Sequence, residues 1–182
     1  SKYHMGTVLS IYERLWAQNM ELVVVGLDNA GKSSLLNLLV HGHHVDSTPT
    51  LGGYSKEMNH RGMRIKLWDV AGQDALRDTW KEYSENSNCI IFVVDSADPQ
   101  RIGKAKEALH SLLSHKNLTN VPVLIAINKI DLPFAHRLSK FDVIKGMEID
   151  TLQNNFSVVE ISTLENHNIE RVIEWIINHG SP

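Results

Sequence analysis

The sequence contains little cysteine and no long apolar run, and each shortage excludes a class of protein. Cys89 is the only cysteine, so an internal disulfide is excluded and a reducing compartment fits the composition. No apolar run approaches the ~20 residues that a helix needs to cross a bilayer. Lysine and arginine number 18 against 21 aspartate and glutamate residues, which gives a net charge of −3. A general nucleic-acid binder with a basic face is therefore not expected.

The length and composition favour one folded domain. The chain has 182 residues, of which 42% are hydrophobic and 21% are charged. These values are ordinary for a soluble globular protein. A chain of this length can bury a full core without a second domain.

The first residues carry a lipid-attachment pattern. Residues 1–4 precede the first methionine and are interpreted as a cloning remnant. If translation begins at Met5, the sequence MGTVLS matches the N-myristoylation pattern, with Gly6 as the acceptor. Residues 5–19 are predicted to form an amphipathic helix because apolar residues recur on one side. Such a helix can lie on a membrane or pack on its own domain, and one myristoyl chain needs a second membrane signal.

The strongest motif is a strand, a glycine-bounded loop and a helix. An apolar strand is predicted at Leu22–Val25, and the loop after it fits G-x-x-x-x-G-K-[ST] at Gly26, Gly31, Lys32 and Ser33. We call Gly26–Ser33 the phosphate loop, because its backbone N–H groups and the helix N-terminus favour an anion. We expect Lys32 to reach the β- and γ-phosphates and the Ser33 hydroxyl to bind Mg²⁺. The alternative is a chance glycine-rich turn, which the flanking strand and helix disfavour.

Two later segments carry candidate metal and catalytic groups. Thr50 lies in a polar loop that can close over Mg²⁺ and the terminal phosphate. Asp69, at the end of a predicted strand, can hold Mg²⁺ through water. Gly72 can donate its N–H to the γ-phosphate, and Gln73 can orient the attacking water. No arginine or lysine separates Ser33 from Thr50, so we expect unassisted turnover to be slower by about 10³–10⁵ than with a partner's arginine.

Apolar runs predict the remaining strands and helices. Tyr54–Met58 and Met63–Trp68 flank the turn Asn59–Gly62 and predict an antiparallel hairpin. Residues 88–95 are expected to form a parallel strand that is covered on both faces. The pair Asp98-Pro99 is expected to cap and begin the next helix. Further strands are predicted at 121–127 and 156–161, and a closing helix at 168–178.

A second specific motif follows the strand at 121–127. The sequence NKID places Asn128, Lys129 and Asp131 just past the strand end. The Asp131 carboxylate can accept two hydrogen bonds from guanine, at N1–H and at the 2-amino group. Adenine offers neither donor, and a site built for a missing donor rejects the wrong ligand by about 10⁴–10⁵. Asn128 can reach N7, and the Lys129 stem can cover the base plane. A plain loop is the alternative reading of this motif alone.

Four motifs in this order resemble the Ras-type small GTPases, and the Arf and Arf-like branch in particular. They are GLDNAGKS (26–33), PTLGG (49–53), WDVAGQ (68–73) and NKID (128–131). The features typical of the branch are Asp28, Pro49-Thr50, Trp68-Asp69, Gln73 and the N-terminal amphipathic helix.

The resemblance implies an α/β fold and a switch function. It predicts a single P-loop GTPase domain at residues 20–180, with a six-stranded mostly parallel sheet and helices on both faces. It implies binding of GTP or GDP and Mg²⁺. It also implies an exchange factor, a GTPase-activating protein and effectors at the switch surface, and a cytoplasmic protein that reversibly binds membranes through its acylated helix. The resemblance extends the expected nucleotide contacts to Asp28, Asn29, Ala30, Gly31, Lys32, Ser33, Ser34, Thr50, Gly72, Asn128, Lys129, Asp131, Ser162, Thr163 and Leu164.

Three residues depart from the family pattern. Gly53 stands where an aromatic effector-contact residue is usual, and Ala71 replaces a usual glycine. Thr163 stands where an alanine commonly donates its backbone N–H to the guanine oxygen. The departures at Gly53 and Thr163, together with the missing arginine between Ser33 and Thr50, leave a GTP-dependent binding module with negligible hydrolysis as the alternative function. A P-loop ATPase of another class is a third reading, which the NKID motif disfavours.

Overall fold

The fold is built from a parallel sheet whose strands alternate with helices along the chain. The computed structural model describes residues 19–42, 53–60, 63–70 and 78–179. The strands are β1 (Asn19–Val25), β2 (Gly53–His60), β3 (Met63–Val70), β4 (Cys89–Asp95), β5 (Val123–Asn128) and β6 (Phe156–Glu160). The helices are α1 (Lys32–His41), α2 (Asp78–Glu85), α3 (Ile102–Leu113), α4 (Lys140–Gly146) and α5 (Ile169–His179).

The strand order is β2-β3-β1-β4-β5-β6. Only the β2–β3 pair is antiparallel, and the other four pairs are parallel. The prediction of a six-stranded, mostly parallel sheet is therefore confirmed. The carboxyl ends of parallel strands meet at one edge of the sheet, where such folds bind their ligands. The register places Asp69 of β3 beside Val24 of β1, and Asp95 of β4 beside Asn128 of β5, at this edge.

Helices cover both faces of the sheet, as predicted. Alternate residues of β1 point to opposite sides, so Leu22 and Val24 pack with α1 and α5, while Val23 and Val25 pack with α2, α3 and α4. The apolar run of β4 is buried along almost its whole length, as a strand between two helical layers should be. Burial at the start of β4 raises the pKa of the Cys89 thiol to about 12.

Two local predictions were wrong. The hairpin strands extend further than expected, and His60 pairs with Met63, so the turn does not begin at Asn59. Asp98 is the N-cap and Pro99 the first residue of a turn, as predicted, but the Asp98 side chain makes no capping hydrogen bond. Its carboxylate instead accepts a hydrogen bond from Arg101 Nε at 2.5 Å, and the chain enters α3 through a 3₁₀ turn at Pro99–Arg101.

Several predictions lie outside the described residues. They concern the N-terminal helix with Gly6, the candidate residues Thr50, Gly72 and Gln73, and the departure at Ala71. Among the residues that the structure describes, no helix is both long enough and apolar enough to span a membrane.

Candidate functional site

The phosphate loop requires glycine at two positions. Gly26 has φ of +143°, and a Cβ there would clash with the carbonyl oxygen of Val93 on β4. Gly31 has φ of +98°, and a Cβ there would clash with the Asn128 side-chain amide. Gly31 is also the N-cap of α1 and has no side chain that could cap the N–H groups of the first helical turn. Those groups are the ones that bind anions at helix N-termini.

Lys32 is held inside the loop. Its side chain is buried, and its Nζ donates a hydrogen bond to the Leu27 carbonyl at 2.9 Å. Burial lowers the pKa of Lys32 to about 8, although the charges of Asp69 and Asp28 oppose this shift. A buried ammonium group is stabilised by a nearby anion, so the loop presents a cation suited to a polyphosphate.

Ser33 and Asp69 form a pair suited to a magnesium ion. The Ser33 hydroxyl donates to Asp69 Oδ2 at 2.5 Å, and Asp69 is fully buried at the end of β3. Hydroxyl and carboxylate oxygens are hard ligands, and Mg²⁺ is usually held by one or two carboxylates together with substrate phosphates. The described ranges contain no group of three or more His, Cys, Asp or Glu side chains that could hold a metal alone. The pair therefore fits an ion that is also bound by a phosphorylated substrate.

Arg101 joins the phosphate loop to the start of α3. Its Nη1 lies 2.8 Å from Asp28 Oδ1, and its Nη2 donates to the Asp28 carbonyl at 3.2 Å. The bond to Asp98 and the charge of Asp28 raise the pKa of Arg101 further above its usual range. Residues of the phosphate loop and of α3 line a small open cleft beside this contact. The guanidinium therefore bridges a place where side-chain packing leaves a gap.

Asn128 braces two loops against each other. Its Nδ2 donates to the Ala30 carbonyl at 2.9 Å and to Thr163 Oγ1 at 3.1 Å, and its Oδ1 accepts the Thr163 N–H at 3.0 Å. The amide is almost completely buried. The same Thr163 N–H is the group expected to donate to guanine O6. The base contacts of Asn128 and Thr163 stay predictions, while their bracing of the phosphate loop is an added role.

Lys129 and Asp131 are each fixed by a second residue. Lys129 has φ of +70°, and its Nζ lies 2.5 Å from Asp95 Oδ2. The Ser162 hydroxyl donates to Asp131 Oδ1 at 2.6 Å and accepts the Glu165 N–H at 3.0 Å. Ser162 is fully buried, so the carboxylate of Asp131 is anchored by a rigid partner.

The remaining predicted residues lie in or next to the same loops. Leu164 follows Thr163, and 65% of its surface is exposed. Asn29 is exposed with φ of +61°, and Ser34 is half-buried on the first turn of α1. Through Asn128, the structure brings Gly26–Ser33, Asn128–Asp131 and Ser162–Leu164 together at one edge of the sheet.

Sequence reasoning missed three residues that hold this site. Arg101 holds Asp28, Asp95 holds Lys129, and Arg137 holds the loop after Asp131 through Leu132. A weak signal for Asp95 was its place at the end of an apolar strand, beside the other motif-bearing strand ends. The two arginines carried no local signal, because their partners are set by the packing of elements that are distant in sequence.

Comparisons with known proteins find relatives over most of the chain. A model of the ADP-ribosylation factor family matches residues 7–180. ADP-ribosylation factor-like protein 8b of Arabidopsis thaliana is 38% identical over 165 residues, which cover 90% of this chain and 89% of that protein. ADP-ribosylation factor-like protein 5 of Caenorhabditis elegans is 30% identical over 177 residues, which cover 96% of this chain and 99% of that protein.

Solved structures share the fold. The Arl6 BBS3 small GTPase from Trypanosoma brucei, with the bound nucleotide analogue GppNp, matches with a TM-score of 0.81 at 23% identity. That match covers 90% of this chain and 100% of the other. The mammalian SRP receptor matches with a TM-score of 0.77 at 23% identity, over 87% of this chain and 98% of the other. At this identity the likeness concerns the fold.

Proposed function

The chain belongs to the ADP-ribosylation factor family of small GTPases, and we propose that it binds GTP and GDP with Mg²⁺ as a nucleotide-controlled switch. The observation that carries the proposal is the hydrogen bond between the NKID motif and the phosphate loop. The Asn128 amide, at the start of the NKID sequence, bonds the Ala30 carbonyl in the phosphate loop at 2.9 Å. One nucleotide can therefore reach Asp131 with its base and Lys32 with its phosphates.

The base would be selected by the Asp131 carboxylate. Ser162 fixes one carboxylate oxygen at 2.6 Å, which orients the group to accept from guanine N1–H and the 2-amino group. An adenine in the same place would leave the carboxylate without those donors, which a site of this kind penalises by about 10⁴–10⁵. Lys129 is tied to Asp95, so its stem is positioned to cover the base plane.

The phosphates would be bound by the phosphate loop and Lys32. The ammonium group, now bonded to the Leu27 carbonyl, would pair with the β- and γ-phosphate oxygens. A Mg²⁺ ion held by Ser33 and Asp69 would neutralise negative charge on the same oxygens. Gln73 would orient the water that attacks the γ-phosphate. A partner's arginine would speed the reaction, since the segment between Ser33 and Thr50 has no arginine or lysine.

Isothermal titration calorimetry tests the binding proposal. GTP and GDP should bind in the presence of Mg²⁺, and ATP should not. Asp131→Ala should lose the preference for guanine, whereas Asp150→Ala is the matched control, because Asp150 is exposed on a separate 3₁₀ turn. Equal competition by ATP against wild type would reject the proposal.

Single-turnover hydrolysis separates the switch from the alternative of a binding module. Wild type should convert bound GTP slowly, and a GTPase-activating protein should accelerate it. Gln73→Leu should abolish the acceleration. Equal rates for the two proteins, with or without the activating partner, would favour the binding module.

The membrane part of the proposal is separate and concerns the N-terminal segment. The supporting features are the acylation pattern at Gly6 and the adjacent amphipathic pattern at residues 5–19. A cytoplasmic protein with both signals would bind membranes reversibly, and its effectors would read the switch surface there. The test is liposome flotation of an acylated chain beginning at Met5, loaded with GTP or with GDP. Equal flotation of the GTP-loaded and GDP-loaded chains would show that the nucleotide does not control membrane binding.

A further inference from the structure

Arg137 is a buried charge beside the base-recognition motif. Only 7% of its side chain is exposed, and its Nη1 is buried without a hydrogen-bond partner. A buried guanidinium is costly unless it is paired and held by other groups. Its position just after the 3₁₀ turn at Phe134–His136 is not explained by the nucleotide contacts described above.

Three contacts hold Arg137 in place. Its Nε donates to the Leu132 carbonyl at 3.0 Å. Its Nη1 lies 3.6 Å from Glu160 Oε1, at the end of β6. Its guanidinium lies over the Phe134 ring, 4.0 Å from the centroid. The ring itself is 75% exposed, so Phe134 covers the guanidinium from solvent in a cation–π contact.

These contacts hold the backbone that presents Asp131. On one side of Asp131, the Ile130 N–H bonds to the Ile161 carbonyl at 3.3 Å. On the other side, the Leu132 carbonyl is held by Arg137. Glu160 comes two residues before Ser162, whose hydroxyl bonds Asp131. Arg137 thus links the two chain segments that flank the Asp131 carboxylate.

We propose that Arg137, covered by Phe134, is a positioning residue that sets the Asp131 carboxylate for two-point recognition of guanine. The proposal rests on the guanine-nucleotide function proposed above and names a residue that controls its specificity. A carboxylate that shifts loses its bond to the 2-amino group as well as its bond to N1–H. Hypoxanthine has N1–H but no 2-amino group, so a ligand with that base should lose less affinity when the carboxylate shifts.

The experiment compares the dissociation constants of GDP and inosine diphosphate with Mg²⁺. Arg137→Met should weaken GDP about tenfold and inosine diphosphate about threefold, so that the preference for GDP narrows. Phe134→Ala should narrow the preference in the same direction. Its ring is exposed, so this variant keeps the test decisive if Arg137→Met does not fold. The matched controls are Arg171→Met and Phe141→Ala, at exposed positions on α5 and α4.

Each outcome has one reading. An unchanged preference in both test variants would overturn the role of Arg137, and so would an equal loss for both nucleotides, since that is the result of a general loss of structure. If wild type binds neither nucleotide, the proposed function itself fails. If wild type binds GDP and only the preference test fails, the positioning role alone is rejected.

Discussion

At the scale of single residues, several side chains expected to contact the nucleotide are each held in place by a second side chain. Asp131 and Ser162 form the clearest pair. The Ser162 hydroxyl donates to one Asp131 oxygen at 2.6 Å and accepts a hydrogen bond from the Glu165 N–H at 3.0 Å. A hydroxyl can donate only one hydrogen bond, and the Ser162 hydroxyl donates it to Asp131. The bond is charge-assisted, and such bonds are shorter and stronger than neutral ones.

Removing that hydroxyl should weaken guanine binding. Ser162→Ala leaves the Asp131 carboxylate without its buried donor, and we expect GDP affinity to fall about tenfold, or about 1.4 kcal/mol. The measurement is calorimetric titration with GDP and Mg²⁺. Ser114→Ala is the control, because the Ser114 hydroxyl bonds only a neighbouring carbonyl on an exposed helix end. Identical affinities for Ser162→Ala and wild type would contradict the anchoring role.

At the scale of elements, each loop is fixed where it meets a neighbouring strand or helix. The phosphate loop leaves β1 at Gly26, where the backbone passes against Val93 of β4. It meets the start of α3 through the ion pair of Arg101 with Asp28. The contact of Gly26 with Val93 leaves no space for a Cβ, whereas the contact of Arg101 with Asp28 is an ion pair.

The two glycines at Gly26 and Gly103 should respond to alanine in opposite directions. Gly26→Ala places a Cβ against the Val93 carbonyl at φ of +143°, so we expect the free energy of unfolding to fall by roughly 1–3 kcal/mol or more. Gly103 lies exposed in α3 with nothing within 4 Å of an added Cβ, so Gly103→Ala should stabilise by about 0.5–1 kcal/mol. Urea unfolding of both variants measures the difference, and a loss of stability in Gly103→Ala would count against this account.

The Arg101 bridge should act mainly through the charge of Asp28. Arg101→Met leaves that carboxylate unneutralised beside the phosphates, and we expect GDP affinity to fall about tenfold because like charges a few ångströms apart repel by about 1 kcal/mol or more. Adding Asp28→Asn to Arg101→Met should restore most of the loss. A double-mutant cycle on the dissociation constants measures the coupling. A double variant no better than Arg101→Met would indicate that charge is not the cause.

At the scale of the whole molecule, the strand order assembles the site. The order β3-β1-β4-β5 places the carboxyl ends of four parallel strands side by side. These ends lead into Asp69, the phosphate loop, Asp95 and the NKID motif. A ligand bound across this edge touches segments from most of the chain, so binding should be coupled to global stability.

Nucleotide should therefore stabilise the whole fold. With Mg²⁺ and GDP at about one hundred times the dissociation constant, we expect an increase of about 2.7 kcal/mol in the free energy of unfolding. Thermal denaturation with and without GDP measures it. Chelation of Mg²⁺ should reverse part of the gain, since Ser33 and Asp69 then lose the ion that they share with the phosphates. ATP is the control ligand and should leave the melting temperature unchanged.

The single cysteine offers a separate measure of global unfolding. Cys89 is fully buried at the start of β4, and burial raises the pKa of its thiol to about 12. The folded protein should keep the thiol protonated at pH 9, where an unfolded chain is substantially ionised, so alkylation should require opening of the sheet. The rate of iodoacetamide labelling, with and without urea, tests this. Rapid labelling of the folded protein at pH 9 would contradict the burial.

Local patterns in the sequence were enough for the strands, for α1, α3 and α5 and for the motifs, whereas α2 and α4 were not predicted. The strand at Leu22–Val25, the helix after the phosphate loop and the apolar runs of β4 and β6 are specified by signals that act over a few neighbouring residues. The mostly parallel sheet followed from the family resemblance. The chemistry expected at Lys32, Ser33 and Asp131 also followed from spacing within short motifs.

Contacts between distant segments required the packed sheet. Asn128 bonds Ala30 across a separation of 98 residues, and Arg101 bonds Asp28 across 73. Strand order and register decide which side chains meet at such distances, and no local pattern contains that information. The same cause explains the error at Asp98. The adjacent Pro99 predicted that the Asp98 side chain would cap the helix. The Asp98 carboxylate instead accepts a hydrogen bond from Arg101, whose guanidinium also binds Asp28.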